Sequence, residues 1–375
     1  DTKEERMKQV TRVLFGALAA AAIGTAPVLA QSGEPIKVGV IANLTGSDVR
    51  TSQDLVRGIE LAAEAVNAEG GIDGQPIALV VEDSQYNTQE ALNAAAKLYD
   101  VDNVDVALMF GGSSLTLAVA PIAQEKGKIL INTSSSSPKL GEFPGTLFSI
   151  LPLDDIMGKE LGNYIAGEGV SSVAFVVPNN TFGTGLMDAT AAAFEAAGGE
   201  VIAKIAYTEG QPDYRADLQQ LLRTRPDAIV TAGYGDDSRT VFRNAQALGL
   251  DQTWYAAYPT ILSMDDPEWM SGRFKGIDNG GTSGDKAKAL AKDYVAAYGG
   301  DGEPLPHVFY GYDGLMVVAR ALKAGGALSE ALPEAVKGYE GATGSVTWDE
   351  RGQRIDPPVD LVSFEDGEVK VIESK

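Results

Sequence analysis

Short apolar runs alternate with amphipathic segments along most of the chain, beginning at Ile36. Such runs predict buried strands, and segments whose apolar residues recur at helical spacing predict helices. The first series predicts strands at Ile36–Ile41, Ile77–Val81, Val106–Phe110 and Lys128–Ile131, with intervening helices at Gly58–Asn67, Thr88–Asp100 and Leu115–Glu125.

The same alternation starts again near residue 173. It predicts strands at Val173–Val177, Val201–Ile205, Ala228–Thr231 and Trp254–Ala256, and helices at Leu186–Ala197, Tyr214–Thr224 and Ser238–Leu248. We expect Trp254–Ala256 to be the last strand of this series. Two successive runs of strand–helix units predict an α/β protein with two Rossmann-like lobes, each a parallel sheet covered by helices on both faces.

The remaining segments predict two long helices and a hairpin-like tail. The helices are expected at Lys286–Tyr298 and Gly311–Ala324. The tail is expected to contain strands at Ser345–Trp348, Val359–Phe364 and Val369–Ile372, with turns between them.

The first 30 residues have the pattern of a secretory signal peptide. Lys8 and Arg12 precede the apolar run Val13–Ile23, and Val28-Leu29-Ala30 places small residues before Gln31. The apolar run is about half of the roughly 20 residues that span a bilayer. Because the chain has no cysteine, disulfides, thiolate metal sites and a lipidated cysteine anchor are excluded. We therefore expect a protein of the bacterial periplasm.

Charge and residue inventory narrow the function. The net charge of −22 argues against nucleic-acid binding, which needs clustered Lys and Arg. The single histidine, His307, is expected at a helix start. Gly111-Gly112-Ser113-Ser114 lacks the lysine of a phosphate-binding loop, and Gly183-Thr184-Gly185 lacks the third glycine of a dinucleotide fingerprint. We therefore expect no enzyme activity, no cofactor and no metal.

Two serine-rich segments follow neighbouring predicted strands. Gly111–Ser114 comes after Val106–Phe110 and leads into a helix, and Ser134–Ser137 comes after Lys128–Ile131. Ligands of open parallel sheets bind beyond the carboxyl ends of the strands. Free N–H groups at the helix start and the Ser113 hydroxyl can hold a carboxylate. Helix capping is the alternative interpretation of these serines, but their pairing favours a ligand site.

The sequence resembles the periplasmic leucine/isoleucine/valine-binding proteins, the solute receptors of ABC importers. The resemblance covers nearly the whole chain after residue 30, and its most specific stretch is Asn-Ala-Glu-Gly-Gly-Ile. The matching segments are Ile36–Val40, Leu44–Gly46, Gly58–Ala62, Val66–Ile72, Gly111–Ser114, Pro152–Asp154, Phe182–Gly185, Tyr312–Asp313 and Thr347–Asp349.

This resemblance implies a type I periplasmic binding protein, with two lobes that close on a ligand about three hinge crossovers. The expected lobes are residues 31–153 plus 282–355 and residues 154–281 plus 356–375. The crossovers are expected near Pro152, near Asn279–Thr282 and near Ile355–Pro358. The implied partners are a small carboxylate ligand and an inner-membrane ABC permease, and the protein is expected to be a monomer.

The resemblance also implies ligand contacts. In the family, a serine matching Ser113 and a residue matching Ser136 bind the ligand carboxylate, and the backbone at the Ser134 position assists. Aromatic residues matching Phe182 and Tyr234 close the pocket. The predicted ligand-binding set is Ser113, Ser114, Ser134, Ser136, Thr51, Phe182, Tyr234, Tyr258, Asp154 and Asp236.

One position departs from the family pattern. Tyr258 stands where amino-acid receptors of the family carry the acid that holds the ligand ammonium. A buried ammonium without a carboxylate is costly, so Asp154 or Asp236 substitutes, or the ligand lacks an α-amino group. We therefore expect a modified amino acid or a carboxylate without an ammonium, with an aromatic ligand favoured by Tyr258.

Two other classes of function stay open on the sequence. One is a ligand-sensing domain that signals to a partner protein. The other is a dinucleotide-dependent enzyme that uses Gly183 and Gly185. The signal peptide pattern, and the lack of an attached effector domain in this sequence, favour the importer receptor.

Overall fold

The computed structural model describes residues 33–46, 48–282, 284–299 and 304–375. The predicted signal peptide lies outside the described residues. The strands are β1 Ile36–Ala42, β2 Ile77–Asp83, β3 Val106–Met109, β4 Ile129–Asn132, β5 Leu147–Ser149, β6 Ser172–Pro178, β7 Glu200–Tyr207, β8 Ala228–Thr231, β9 Thr253–Ala257, β10 Phe274–Asn279, β11 Glu340–Gly341, β12 Gly344–Ser345, β13 Thr347–Trp348, β14 Arg354–Ile355, β15 Val359–Glu365 and β16 Glu368–Ser374. The helices are α1 Val49–Ala68, α2 Thr88–Ala96, α3 Ser113–Glu125, α4 Asp154–Gly167, α5 Thr181–Ala196, α6 Arg215–Thr224, α7 Gly235–Leu248, α8 Pro267–Met270, α9 Asp285–Tyr298, α10 His307–Ala324 and α11 Leu328–Ala335.

Five strands form a parallel sheet in the order β2-β1-β3-β4-β5. Helices α1, α10 and α11 cover one face, where Leu55, Ile59 and Leu315 join the core. Helices α2 and α3 cover the other face. Burial on both faces accounts for the continuous apolar runs of these strands. We call this sheet with its helices the first lobe.

Seven strands form a second sheet in the order β16-β15-β10-β9-β8-β6-β7. The expectation that Trp254–Ala256 ends the parallel series is wrong, because β10 pairs parallel with β9. Strand β15 then pairs antiparallel with β10, and β16 forms an antiparallel hairpin with β15. Helices α4 and α5 cover one face of this sheet, and α6 and α7 cover the other. We call this sheet with its helices the second lobe.

Two glycines explain how α10, from late in the chain, packs against α1. A Cβ on Gly58 would lie 2.0 Å from the carbonyl oxygen of Val308, and a Cβ on Gly311 would lie 2.4 Å from that of Leu55. Only the hydrogen atom of a glycine fits at position 58 or position 311, so the backbones of α1 and α10 touch where the two helices cross. This crossing fixes α10 on the first lobe.

The chain passes between the lobes three times: after β5, after β10 and between β14 and β15. Arg354 anchors the last passage to the first lobe. Its side chain is 1% exposed and donates to the carbonyl oxygens of Ile150, Thr343 and Ser345 at 2.6–3.0 Å. The predicted fold class, with two lobes and three crossovers, is confirmed. Among the described residues, none of the helices is both long and apolar enough to cross a membrane.

Candidate functional site

A cleft of about 950 Å³ lies at the carboxyl ends of the parallel strands of the two sheets. The first lobe lines it with the segments that follow β1 to β5, and the second lobe with those that follow β6 to β9 and with the end of β10. Nine of the ten predicted ligand-binding residues line this cleft, and Asp154 is the exception. The cleft lies where ligands of open parallel sheets bind, beyond the carboxyl ends of the strands, and segments far apart in sequence meet there.

The serine segment after β4 is clamped to the glycine loop after β3. Ser134 Oγ accepts the Gly111 N–H at 2.9 Å and donates to the Gly111 carbonyl at 3.0 Å. Ser135 Oγ donates to the same carbonyl at 2.7 Å. Asn132 accepts the N–H groups of Ser134 and Ser135, which shapes the turn. The hydroxyl of Ser134 is therefore used within the protein.

The start of α3 supplies donors to the cleft. Gly112 precedes the helix and has no side chain to cap its first N–H groups. Ser113 is 2% exposed, and its Oγ accepts the Ser137 N–H at 3.2 Å, which leaves the hydroxyl proton for another acceptor. Backbone N–H groups and the positive end of the helix dipole favour an anion here. Ser114 Oγ reaches across to Thr181 Oγ1 of the second lobe at 3.2 Å.

A buried carboxyl joins the lobes at the base of the cleft. Asp154 is fully buried; its Oδ2 accepts from Ser136 Oγ at 2.8 Å and its Oδ1 from Tyr258 Oη at 2.9 Å. Ser136 belongs to the first lobe and Tyr258 to the second, and both line the cleft. Asp154 therefore supports two lining residues from behind instead of facing the ligand.

Burial raises the pKa of Asp154 to about 8, against the lowering by the hydroxyls of Ser136 and Tyr258. The carboxyl is therefore largely protonated at neutral pH. Its proton can be donated to one of the two hydroxyls, since a protonated carboxyl is both a donor and an acceptor. That hydroxyl's own proton is then free for a ligand carboxylate in the cleft.

Aromatic rings of the second lobe form the wall opposite the serines. The Phe182 ring lies 6.0 Å from the Tyr234 ring and 6.2 Å from the Tyr258 ring, measured between centroids. Tyr258 has a φ of 58°, a left-handed conformation that is uncommon for a bulky residue. The wall suits an apolar or aromatic ligand group.

Four acids that sequence analysis did not propose also line the cleft: Asp48, Glu209, Asp237 and Asp278. Among the described lining residues, Arg50 is the single Lys or Arg. The predicted Asp236 lies at the rim, where it pairs with Arg239 at 2.6 Å and is 90% exposed. Thr51 lines the cleft and donates to Asp48 Oδ1 at 2.5 Å. The cleft thus combines hydrogen-bond donors that suit an anion with more carboxylates than basic side chains.

Polar residues of the second lobe form a network at the mouth of the cleft. Asn180 Nδ2 donates to Glu209 Oε2 at 2.8 Å and to Tyr234 Oη at 2.9 Å, and Tyr234 donates to Glu209. Tyr86 of the first lobe faces the same group, and burial raises its pKa to about 12. Asn180 also caps α5 by accepting the Gly183 N–H at 2.9 Å.

His307 begins α10, as expected, but it also lines the cleft. Its ring meets Phe110 edge-on at 5.8 Å between centroids. Burial lowers its pKa to about 4, so the imidazole is neutral at pH 7. Its Nδ1 is buried without a hydrogen-bond partner in the described residues. The sequence contains one histidine, and nothing in its local pattern predicted that this side chain would line the cleft.

Comparisons with known proteins identify the family of this chain. Residues 35–368 match the model of a periplasmic binding protein family. An amino acid binding protein of Pseudomonas aeruginosa is 25% identical over 327 residues, which cover 84% of this chain and 87% of that protein.

Solved structures show the same fold. The branched-chain amino acid transporter substrate binding protein LivJ of Streptococcus pneumoniae, in complex with isoleucine, has a TM-score of 0.79 and 25% identity, covering 91% of this chain and 99% of that one. A solute binding protein of an ABC transporter from R. palustris, in complex with benzoate, has a TM-score of 0.78 and 17% identity, covering 91% and 96%. Because the family model spans most of its length, this chain belongs to the periplasmic binding proteins, which bind solutes and are not enzymes.

Proposed function

We propose that this chain is the receptor of an ABC importer and that it traps a small carboxylate between its two lobes. The observation that carries the proposal is the convergence of the α3 start, Ser113 and Ser136 on one cleft, opposite Phe182, Tyr234 and Tyr258. Hydrogen-bond donors on one side and aromatic rings on the other suit an amino acid or an aromatic acid. The names of the relatives support both classes, since one is an amino acid binding protein and another holds benzoate.

The mechanism is closure of the lobes without making or breaking a bond. Hydrogen bonds cross between the lobes, among them those from Ser114 to Thr181 and from Ser136 to Asp154. A ligand that touches both lobes favours the closed state, because it binds that state more tightly than the open one. The three crossovers serve as the hinge.

The proposal includes location and partner. The N-terminal pattern of residues 1–30 directs the chain to the periplasm, where it acts as a monomer. The closed, loaded form is recognised by an inner-membrane permease. In a strain that lacks this gene, we expect uptake of the radiolabelled ligand to fail, with recovery when the gene is restored.

The anion site is tested by Ser113→Ala combined with Ser136→Ala. Hydrogen bonds to a charged group contribute roughly 1.5–3 kcal/mol each, so ligand affinity measured by calorimetry should fall tenfold or more. Ser171→Ala combined with Ser329→Ala is the matched control, because both serines are exposed and outside the cleft. Unchanged affinity in the cleft variant would refute the proposed site.

A further inference from the structure

Two polar side chains on the first turn of α10 line the cleft without hydrogen bonds from the protein. His307 begins the helix and Tyr310 follows three residues later, a spacing that places both on one face. His307 is half-buried and Tyr310 is only 2% exposed, and both line the cleft. Within the described part of the chain, neither the His307 imidazole nor the Tyr310 hydroxyl has a hydrogen-bond partner.

The backbone holds this pair of side chains in place. Helix α10 touches α1 at residues 308 and 311, where a Cβ on Gly58 or Gly311 would collide with the backbone opposite it. The first turn of α10 therefore cannot rotate to bring either side chain to another partner. Water can serve both groups while the cleft is open, but a ligand that closes the lobes displaces it. A buried polar group without a partner is costly, so the ligand has to supply one.

The pair lies beside the anion site and not within it. The Phe110 ring meets the His307 ring edge-on, with 5.8 Å between centroids, and Phe110 directly precedes the loop Gly111–Ser114. Leu305 and Pro306 line the cleft next to His307, which makes these surroundings apolar. A ligand whose carboxylate is held at the start of α3 can therefore extend past Phe110 to α10.

The chemistry of the pair suits a neutral group. Burial lowers the pKa of His307 to about 4 and raises the pKa of Tyr310, so neither is charged at pH 7. A neutral imidazole has one donor and one acceptor, and a tyrosine hydroxyl both donates and accepts. Asp54, which acts on His307, disfavours a second carboxylate there. A ligand hydroxyl can donate to one member of the pair and accept from the other without bringing a buried charge.

We infer that His307 and Tyr310 together bind a hydroxyl group of the ligand, so that the cleft selects a hydroxylated carboxylate over the analogue that lacks this hydroxyl. This inference rests on the proposed function, because the start of α3 and the serines must hold the carboxylate of the same molecule. The two residues thus determine specificity among carboxylates, whereas the serines bind the group that all carboxylates share.

The test compares carboxylates that differ at one hydroxyl. The probe pairs are 4-hydroxybenzoate with benzoate, 3-(4-hydroxyphenyl)propanoate with 3-phenylpropanoate, L-tyrosine with L-phenylalanine, and L-threonine with L-valine. Affinities are measured by calorimetry at pH 7.4 for the wild type and for Tyr310→Phe, which removes only the hydroxyl. In at least one pair, we expect the wild type to prefer the hydroxylated member about tenfold or more, because the other member leaves polar groups of the site unpaired. Tyr310→Phe should reduce that preference about fivefold or more.

Two variants of His307 separate hydrogen bonding from packing. His307→Leu removes both ring nitrogens and should also reduce the preference. His307→Gln, whose amide still donates and accepts, should restore part of it. Tyr255→Phe is the matched control for Tyr310→Phe: Tyr255 is also 2% exposed, but it lies in the core of the second lobe and outside the cleft, so this variant should keep the wild-type preference.

Three results would overturn the inference. In the first, the wild type binds some of the probes but prefers no hydroxylated member, and the proposed function then stands without this subsite. In the second, Tyr310→Phe weakens both members of a preferred pair equally, as expected if the hydroxyl only supports the fold. In the third, Tyr255→Phe reduces the preference as much as Tyr310→Phe does. If none of the eight probes binds to the wild type, the proposed function fails, and this inference fails with it.

Discussion

The buried carboxyl of Asp154 should make the stability of the protein depend on pH in a window where few other groups contribute. Asp154 accepts hydrogen bonds from Ser136 and Tyr258 and is fully buried. The perturbation is Asp154→Asn. An asparagine can accept from one hydroxyl and donate to the other, as the protonated acid does, so the contact between the lobes is kept while the titration is removed.

The sign of the effect follows from the raised pKa. It is about 8 in the folded protein, against an ordinary value of 3.8. The stability that the bound proton provides is complete below about pH 4 and is lost as the pH rises toward 8. Between pH 6.5 and 7.5, this group should lower the free energy of unfolding of the wild type by roughly 1 kcal/mol.

Among the other groups with shifted pKa values, His307 and Asp278 titrate below this window. The pKa of His307 is lowered to about 4, so its charged form is disfavoured in the folded state, and stability rises with pH only up to about 6.5. The pKa of Asp278 is raised to about 6, so its contribution falls mainly between pH 4 and 6. Of these three groups, Asp154 therefore contributes most of the slope above pH 6.5.

The assay is urea unfolding at pH 6.5, 7.0 and 7.5, followed by far-ultraviolet circular dichroism. We expect the wild type to lose stability across this range and Asp154→Asn to lose little. Asp236→Asn, which changes an exposed carboxylate, should retain the wild-type slope. Equal slopes for the wild type and Asp154→Asn would refute the protonated state of the buried carboxyl.

Two further substitutions test packing and the cleft. The Asp313 carboxylate is fully buried and accepts hydrogen bonds from the Tyr339 hydroxyl, the Ala342 N–H, and the N–H and hydroxyl of Thr343. Asp313→Asn turns an amide N–H₂ toward these donors, so the free energy of unfolding measured with urea should fall by about 3 kcal/mol. A loss below about 1 kcal/mol would contradict this role. A Cβ on Gly112 would lie 2.6 Å from Tyr86 Oη, whereas a Cβ on Gly167 would meet nothing within 4 Å. Gly112→Ala should therefore weaken ligand binding severalfold in calorimetry, and the control Gly167→Ala should not. Equal affinities for the two variants would show that the Tyr86 side chain moves aside freely.

Apolar runs predicted most of the sheet strands because both faces of a parallel sheet are buried. Strand β8 has the predicted bounds, Ala228–Thr231. Strand β10, Phe274–Asn279, was missed because Lys275, Gly276 and Asp278 interrupt its pattern. The glycine is needed there, since a Cβ on Gly276 would lie 2.0 Å from the Ala256 carbonyl oxygen. Glycine is required at position 276 by a contact with another strand, and a single sequence does not show such contacts.

Helix α1 begins at Val49 instead of the predicted Gly58. Its first turns carry polar residues that conceal the amphipathic pattern, and two of them, Ser52 and Asp54, are buried. Ser52 Oγ accepts the Asn43 N–H at 2.8 Å, and Asp54 accepts from Tyr294 Oη at 2.6 Å. Polar side chains that are buried with distant partners leave no periodic signal in the sequence.

Site residues could be predicted where a recognised strand preceded them. The serine segments were found from the ends of β3 and β4. Asp278 was missed because its strand was missed, although the same rule applies to it. Glu209 and Tyr86 follow recognised strands, but single polar residues in turns are common, and only the fold brings them to opposite sides of one cleft. The missed residues are therefore those that follow an unrecognised strand or stand as single polar residues in turns.

The central claim is that the cleft binds a small carboxylate, and thermal unfolding with a panel of amino acids, aromatic acids and short organic acids tests it most directly. A ligand that binds only the folded state raises the unfolding temperature. We predict a concentration-dependent rise with at least one carboxylate, and a much smaller rise in the variant that carries both Ser113→Ala and Ser136→Ala. No rise with any compound, or the same rise in that variant, would contradict the claim.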